Sequence, residues 1–336
     1  IVAMTIISNK ISQSVVNLFE IIVIATMSSG KSTLINSMLG QELLHCANEA
    51  TTATITRIHN KDKQRNFRGS AYKLKSNRNN KKVRLRSLVD YQNIIDSNTL
   101  KEWNADININ YINLVGNISS INNINGDIIL YDSPGPNNSQ DNNHESLTFD
   151  LLANGHYNMI IYVLNATQIG INDDQLFLSQ VNQVLKTDKS KKIIFILNKA
   201  DILDEEKGEN IGKFVETTAS YLESIGFIKP TIIPVSAISA LHARKALSQQ
   251  SLTRFERNML QQNLNNLDNA RLIKASYNIS NSFKKISPPN LDKRDIPITI
   301  KDGLEIPKSK IESLIYFSGI PLLENIINYN FKKFSL

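Results

Sequence analysis

The chain alternates between short runs of apolar residues and longer segments in which apolar residues recur every three or four positions. The short runs have the length and the isoleucine-rich composition of buried strands, and they cover residues 21–25, 127–131, 159–164, 193–197 and 231–235. Helical segments lie between them, most clearly over 211–225, where Ile211, Val215 and Leu222 share one face and Gly226 ends the helix. Apolar strands that alternate with amphipathic helices predict an α/β fold with a mostly parallel central sheet and helices on both faces.

Further helices are predicted near both ends of the chain. Apolar residues recur at helical spacing over 9–19, and a helix over 31–39 ends at Gly40. Two more helices, over 308–317 and 321–331, are joined by a short Ser-Gly-Ile link. The second of these begins with a proline, which is favoured in the first turn of a helix.

Two segments interrupt the alternation of strands and helices. Residues 60–126 contain a basic run and a stretch rich in Asn and Ile, whereas residues 249–307 contain many Gln, Asn and Pro. We interpret both as insertions in one domain of residues 21–336, with the predicted N-terminal helix in residues 1–20. The chain has 336 residues, 41% of them hydrophobic, which is enough to form the core of one large domain.

The net charge of +7 is concentrated in one part of the chain. Against the single acid Asp62, the segment 60–86 carries these basic residues: Lys61, Lys63, Arg65, Arg68, Lys73, Lys75, Arg78, Lys81, Lys82, Arg84 and Arg86. Two interpretations stay open, a solvated surface segment or a patch for an anionic membrane, a nucleic acid or an acidic protein. Few aromatic residues accompany the basic ones, which argues against direct stacking on single-stranded nucleic acid.

Composition also bears on the cellular compartment. Cys46 is the only cysteine, so no intrachain disulfide can form, as is typical of proteins in a reducing cytosol. The apolar runs are much shorter than the roughly 20 residues that a membrane-spanning helix needs, and no signal peptide is recognisable. We therefore expect a cytoplasmic protein, peripheral to a membrane or to the nucleoid if it associates with either.

The sequence ATMSSGKSTLIN, residues 25–36, differs from the phosphate-binding pattern G-x-x-x-x-G-K-[ST] only in its first residue, Ala25. Because this position lies at the strand end, away from the anion, an added methyl group is tolerable there. The loop amides and the start of the helix form a site for phosphate, with Lys31 near the β- and γ-phosphates and Ser32 binding Mg²⁺. The candidate phosphate-binding residues are Ser28, Ser29, Gly30, Lys31, Ser32 and Thr33.

Three further motifs each follow a predicted strand. In YDSPG, Asp132 can hold the hydration shell of Mg²⁺, and the Gly135 amide can face the γ-phosphate. In NKAD, Asp201 can accept hydrogen bonds from the ring N–H and the amino group of guanine, which adenine does not offer. Asn198 would connect the base to the loop, and the stem of Lys199 would lie along the base.

The last of these motifs is PVSA, where the amides of Ser236 and Ala237 can meet the guanine oxygen. The phosphate loop, the metal aspartate and the guanine aspartate occur in the order expected for a P-loop domain that binds guanine nucleotides. The sequence therefore predicts GTP, with Mg²⁺ as the cofactor.

The segments ATMSSGKSTLIN, ATTATIT, DSPGPNN, NKAD and SGIPLLENII together resemble the dynamin family, especially its bacterial members. The resemblance implies a GTPase in which Lys31, Ser28 and Thr52 are catalytic and Ser32, Thr52 and Asp132 bind the metal, with Thr51 as the alternative to Thr52. It also implies a homodimer through the nucleotide face and a helical stalk, for which this chain has no segment of adequate length. DSPGPN is similar to a bacterial dynamin homologue that binds the replication clamp, so both membrane-associated and chromosome-associated assembly are implied.

One departure from the family pattern concerns hydrolysis. Eukaryotic dynamins carry Gln where this chain has Met27, and neither Met27 nor Pro136 can orient a water molecule. We therefore expect slow basal turnover. Two alternatives stay open at this stage, a GTP-binding scaffold that does not hydrolyse and a GTPase that assists ribosome or RNA assembly.

Overall fold

The computed structural model of the chain describes residues 17–26, 28–45, 54–62, 64, 66–76, 83–121, 123, 126–134, 148–149, 151–168, 172–188, 190–265, 271–284, 296–300 and 304–335. The strands are β1 Leu18–Ala25, β2 Ile55–Asn60, β3 Arg68–Ser76, β4 Val83–Gln92, β5 Tyr111–Gly116, β6 Asp127–Asp132, β7 Met159–Asn165, β8 Lys192–Asn198, β9 Ile232–Val235, β10 Pro297–Ile300 and β11 Leu304–Pro307. The helices are α1 Lys31–Leu39, α2 Ser97–Ala105, α3 Asn172–Thr187, α4 Ile211–Ile225, α5 Ala237–Leu247, α6 Arg254–Asn265, α7 Arg271–Ala275, α8 Asn281–Lys284, α9 Lys308–Phe317 and α10 Ile320–Phe334.

The first nine strands form a single mixed sheet in the order β4-β3-β5-β2-β6-β1-β7-β8-β9. The strands β6, β1, β7, β8 and β9 run parallel to one another, and β2 is parallel to β5. Antiparallel pairing joins β2 to β6, and joins β3 to both β4 and β5. The predicted fold class, an α/β fold with a mostly parallel sheet, is confirmed.

The centre of the sheet is buried on both faces, which explains its uninterrupted apolar strands. Every residue of β6 and β7 is buried, and β1 alternates Ile21 and Val23 on one face with Ile22 and Ile24 on the other. Helices α1, α2, α5 and α10 contribute side chains to the core on the first face, and α3, α4 and α7 contribute to the core on the second. Within the described residues, no helix is both long and apolar enough to cross a membrane.

Most of the predicted elements agree with the structure to within a few residues. The helix predicted over 31–39 and its end at Gly40, and the helix over 211–225 with its end at Gly226, are confirmed. The prediction of a helix over 9–19 was wrong for Leu18 and Phe19, which lie in β1. Phe19 shares the period-two pattern of Ile21 and Val23, and residues 9–16 lie outside the described part of the chain.

The ends of the fold meet at one corner. The ring of Phe19 lies 5.8 Å from that of Phe331 and 5.5 Å from that of Phe334, measured between centroids. The first strand therefore packs directly against the last helix, α10.

Residues 60–126 extend the central sheet, because they contain β3, β4 and β5. Leu100 and Trp103 of α2 cover one face of this extension, and the Trp103 indole N–H donates to Asp90 at 3.0 Å. Part of the basic run is engaged within the protein, since Lys61 forms an ion pair with Asp127. The strands β3 and β4 contain many polar residues, so they form no apolar run of the kind that predicts a buried strand.

The described residues between 249 and 307 contribute no strand to the nine-stranded sheet, although Tyr277 forms an isolated antiparallel bridge with Ile232 of β9. Leu252, Leu260, Ile300 and Ile306 form a small separate core, together with residues of α5 and α9. The strands β10 and β11 form their own antiparallel pair.

Beside β1, one face of the sheet contains buried ionisable groups. Burial raises the pKa of Glu20 to about 7, although Arg57 and a hydrogen bond from the Tyr131 hydroxyl (3.3 Å) oppose the shift. Arg57 donates to the Asn113 side chain at 2.7 Å and is itself buried. Tyr111 lies near the same arginine, and burial raises its pKa as well.

Candidate functional site

The strands β1, β6, β7, β8 and β9 are parallel, so their carboxyl ends meet at one edge of the sheet. In open α/β sheets, ligands bind at this edge. The loop between β1 and α1 lies here, and each of the other candidate motifs follows the end of β6, β8 or β9. The topology thus brings together residues that are more than 200 positions apart in the chain.

Three side chains from the ends of β7 and β8 hold the carbonyl groups of the loop. The Ser28 carbonyl accepts hydrogen bonds from Lys199 Nζ at 2.9 Å and from Asn165 Nδ2 at 3.4 Å. The Ser29 carbonyl accepts from Asn198 Nδ2 at 2.9 Å. Because these contacts turn the carbonyls toward the sheet, they fix the backbone of a loop whose amides are the expected phosphate ligands.

Gly30 is required by this packing. Its φ of 85° is in the left-handed region, and a Cβ atom at this position would overlap the side-chain nitrogen of Asn198. A glycine at this position leaves the backbone of the loop free to approach a phosphate. The structure adds a second reason, because the same position is where the loop contacts the strand that carries Asn198.

Lys31 and Asp132, which the sequence assigned to phosphate and to metal respectively, form an ion pair with each other. The pair is largely shielded from solvent, with 12% of the lysine side chain and 4% of the aspartate side chain exposed. Ser32 and Thr33 follow in the first turn of α1. The Ser32 hydroxyl and the Asp132 carboxylate are oxygen donors of the kind that Mg²⁺ prefers, so the residues present fit that ion.

Asn198 also contacts the motif that follows β9. Its Oδ1 accepts from the Ala237 amide at 3.2 Å, and the Ser236 amide donates to the Ser318 carbonyl at 2.9 Å. Both amides that the sequence assigned to guanine therefore already donate within the protein. Their predicted role would require these bonds to be exchanged.

Asp201 lies in a helical turn directly after β8, and its side chain is partly shielded from solvent. Burial raises the pKa of Asp201, whereas the nearby Ser236 hydroxyl and the charge of Arg271 oppose the shift. Within the described structure, its buried Oδ1 has no hydrogen-bond partner. A buried carboxylate oxygen without a donor is costly, so this atom fits a ligand that supplies N–H groups.

Several predicted site residues lie outside the described part of the chain. These are Met27, Thr51, Thr52, Gly135 and Pro136. Among the described residues, β2 is antiparallel to β6 and pairs Thr56 with Asp132. The start of β2 therefore lies beside Asp132.

The sequence did not identify two residues that hold the site together. Asn165 ends β7 next to Asn198 in the sheet, and Ser318 accepts from the Ser236 amide. Asn165 could have been identified from the sequence, because it is a polar residue at the end of a fully apolar strand. The role of Ser318 depends on a backbone carbonyl, for which side-chain identity gives no signal.

Comparison with known proteins agrees with this geometry. Residues 21–200 match the dynamin family. No curated protein matches the chain.

Two similar solved structures are described as an oligomerised bacterial dynamin pair for long-range sensing and tethering of membranes, at 20% and 18% identity with TM-scores of 0.47 and 0.49. They cover 74% and 77% of this chain, which spans only 38% and 39% of theirs. A third similar structure is Era in complex with MgGDPNP and 16S ribosomal RNA, at 15% identity and a TM-score of 0.37. The match covers 66% of this chain and 52% of the Era chain. The family match extends over more than half of the chain and includes the phosphate loop, Asp132 and Asn198, so this chain belongs to the dynamin family.

Proposed function

We propose that the chain binds GTP with Mg²⁺ and hydrolyses it to GDP and phosphate. The observation that supports this most directly is the connection made by Asn198. Asn198 hydrogen-bonds both to the Ser29 carbonyl of the loop and to the Ala237 amide. It stands three residues before Asp201, whose buried Oδ1 has no hydrogen-bond partner among the described residues. Phosphate binding and base recognition thus form one continuous site.

Each contact with the nucleotide has a physical reason. Asp201 accepts the ring N–H and the amino group of guanine, and adenine offers neither. Lys31 exchanges its pairing with Asp132 for the β- and γ-phosphates, so that neither charge is left without a counterion. Ser32 and Asp132 would hold Mg²⁺ through their oxygens, and the ion would neutralise charge on the phosphates.

The attacking water has no glutamine to orient it, because Met27 occupies that position. Ser28, Thr52 or a second molecule must take this role, and basal turnover is therefore slow. We infer that two copies of the domain pair across the nucleotide face, and that this contact positions Thr52 and the segment after Asp132 for hydrolysis. We infer that this cycle drives assembly on a membrane or on a chromosome-associated partner.

The test is GTP turnover per molecule over a hundredfold range of protein concentration, with light scattering in GDP and aluminium fluoride. Specific activity should rise with concentration, and the transition-state mimic should produce dimers. A tenfold rise requires a barrier lowered by only about 1.4 kcal/mol. Constant specific activity together with a strict monomer would refute the pairing, and no product in a single-turnover experiment would refute hydrolysis itself.

A further inference from the structure

The two outermost strands on one side of the sheet carry the excess charge of the protein. The last strand is β4, which pairs antiparallel with β3. The sequence from Arg68 to Gln92, which contains both strands, has eight basic residues and one acid, so its net charge is +7. The whole chain has the same net charge, and the other residues are therefore neutral as a group. This hairpin is a strongly positive edge on an otherwise balanced domain.

The same hairpin exposes apolar side chains to solvent. Leu88 is 57% exposed, Val89 is 42% exposed and Tyr91 is 45% exposed, and Ile94, two residues after β4, is 68% exposed. Apolar residues that are grouped on an exposed edge strand promote association with a partner. Because they stand beside a concentration of positive charge, they suit a partner that offers both anionic and apolar groups.

The register of the two strands places apolar and basic residues on one face. Leu88 lies opposite Tyr72 of β3. Tyr91 lies opposite Ser70. Since Arg68, Ser70 and Tyr72 are spaced by two along β3, they share one face of the sheet, and Leu88 and Tyr91 share it with them. Helix α2 packs on the other face of the extension, so it does not cover this one.

The acidic residues of this region do not neutralise the hairpin. Asp90 accepts from the indole N–H of α2 at 3.0 Å, and Asp96 is the N-cap of the same helix. In the part of the chain that the structure describes, Arg68 forms no ion pair. The register also places Lys75 opposite Arg84, and like charges at paired positions oppose strand pairing. An anionic partner would relieve this repulsion.

We propose that the hairpin surface, formed by Arg68, Leu88, Val89, Tyr91 and Ile94, docks on a lipid bilayer that contains anionic lipids. Its positive charge attracts the headgroups, and its apolar side chains enter the boundary between headgroups and acyl chains. A nucleic acid would satisfy the charge, but phosphates and sugars give the apolar residues little to contact. A protein partner fits less well, because lysine is depleted from protein interfaces.

The inference rests on the membrane alternative of the proposed function, and it adds the docking surface and the class of lipid. It is independent of nucleotide binding. In the sheet, β4 is five strands away from β1, the strand that leads into the phosphate loop, which corresponds to about 24 Å. The hairpin can therefore contact a bilayer while the nucleotide face stays free to pair with a second copy.

The measurement is co-sedimentation of the chain with vesicles of phosphatidylcholine, with and without phosphatidylserine. Wild type should bind the anionic vesicles, and added salt should weaken the binding. Arg68→Gln should weaken it about 5-fold and Arg68→Glu about 25-fold, as expected for one and two units of charge near an anionic surface. Leu88→Gln/Ile94→Gln leaves the charge unchanged and should weaken binding by about 5- to 30-fold.

Matched controls make the same changes elsewhere on the surface. Lys213→Glu reverses one exposed charge on α4, and Leu176→Gln/Ile228→Gln replaces two apolar residues that are 64% and 90% exposed. Both controls should bind vesicles more tightly than the corresponding hairpin variants. Thermal unfolding and calorimetric titration with the β,γ-imido analogue of GTP should give the same result for the hairpin variants as for wild type, because the substituted residues are exposed and distant from the phosphate loop.

Each other outcome has a defined meaning. Wild-type binding that the hairpin variants do not weaken, or that the controls weaken equally, would overturn the inference and leave assembly on a membrane standing. A duplex DNA that competes with the vesicles, with an affinity that depends on Arg68 but not on Leu88 and Ile94, would overturn it in favour of a nucleic acid. Wild type that binds no vesicle would overturn both the inference and the membrane alternative, whereas GTP turnover is judged by its own assay.

Discussion

The contact between Gly30 and Asn198 predicts an unusually large effect of adding one methyl group. In Gly30→Ala the new Cβ overlaps the Asn198 nitrogen, and the backbone stays at a φ of 85°. Asn198 is 3% exposed and holds the Ser29 carbonyl and the Ala237 amide, so it cannot move aside without breaking both hydrogen bonds.

The structure allows this effect to be divided into two parts. A side chain in the left-handed region costs about 1–2 kcal/mol. Two buried groups that lose their partners add about 1–3 kcal/mol each, so Gly30→Ala should cost roughly 3–8 kcal/mol in free energy of unfolding. In an Asn198→Ala background the overlap is gone and the hydrogen bonds are already lost, so Gly30→Ala should then cost only about 1–2 kcal/mol.

The assay is chemical denaturation, without nucleotide, of the wild type, the two single variants and the double variant. The double-mutant cycle should give a coupling free energy of roughly 2–6 kcal/mol. Gly208→Ala is the control, because Gly208 has a φ of 84° and an added Cβ there meets nothing within 4 Å. The reasoning would be refuted by additive single effects, or by a Gly30→Ala variant no less stable than Gly208→Ala.

Three other variants test separate parts of the site and the core. Asp201→Asn should weaken GTP by roughly 2–4 kcal/mol and improve binding of xanthosine triphosphate, and equal GTP affinity in both proteins would reject Asp201 as the guanine ligand. Lys31→Ala should abolish tight binding of a non-hydrolysable GTP analogue in calorimetry, whereas the exposed control Lys213→Ala should not. Glu20 has a folded-state pKa of about 7, above its ordinary 4.5, so its contribution to stability is present below pH 4.5 and is lost as the pH rises through 7. The stability of Glu20→Gln relative to wild type should therefore grow by about 3 kcal/mol between pH 4.5 and pH 7, and a difference independent of pH would contradict the assignment.

The elements that the sequence predicted well share a simple physical origin. Strands such as β6 and β7 are buried on both faces, so their apolar composition was sufficient to locate them. The motifs at the ends of β1, β6 and β8 identified Lys31, Asp132 and Asp201 as candidate site residues. Since parallel strands end at the same edge of a sheet, their proximity followed from the fold class.

What could not be predicted depends on contacts between distant segments. The edge strand β4 is only partly covered by other elements, as its exposed Leu88 and Tyr91 show, and neither β4 nor the neighbouring β3 carries a continuous apolar run. The hydrogen bonds that Asn263 and Ser236 both donate to Ser239 join α6 to the segment after β9, and no local pattern in the sequence predicts them. The Ser318 carbonyl is likewise a backbone group, positioned only by the packing of the corner between α9 and α10.

The packing of Phe19 against Phe331 and Phe334 has a consequence for how the fold can be rewired. Since the start of β1 and the end of α10 are adjacent, a short linker could join them without crossing the sheet. New ends could then be opened at Gly208, which is exposed and follows the helical turns after β8. Such a circular permutant would carry Asn198 and Asp201 near its new C-terminus and the loop between β1 and α1 in its interior. It would still assemble the same site, because neighbours in the sheet, and not their order along the chain, bring the two together.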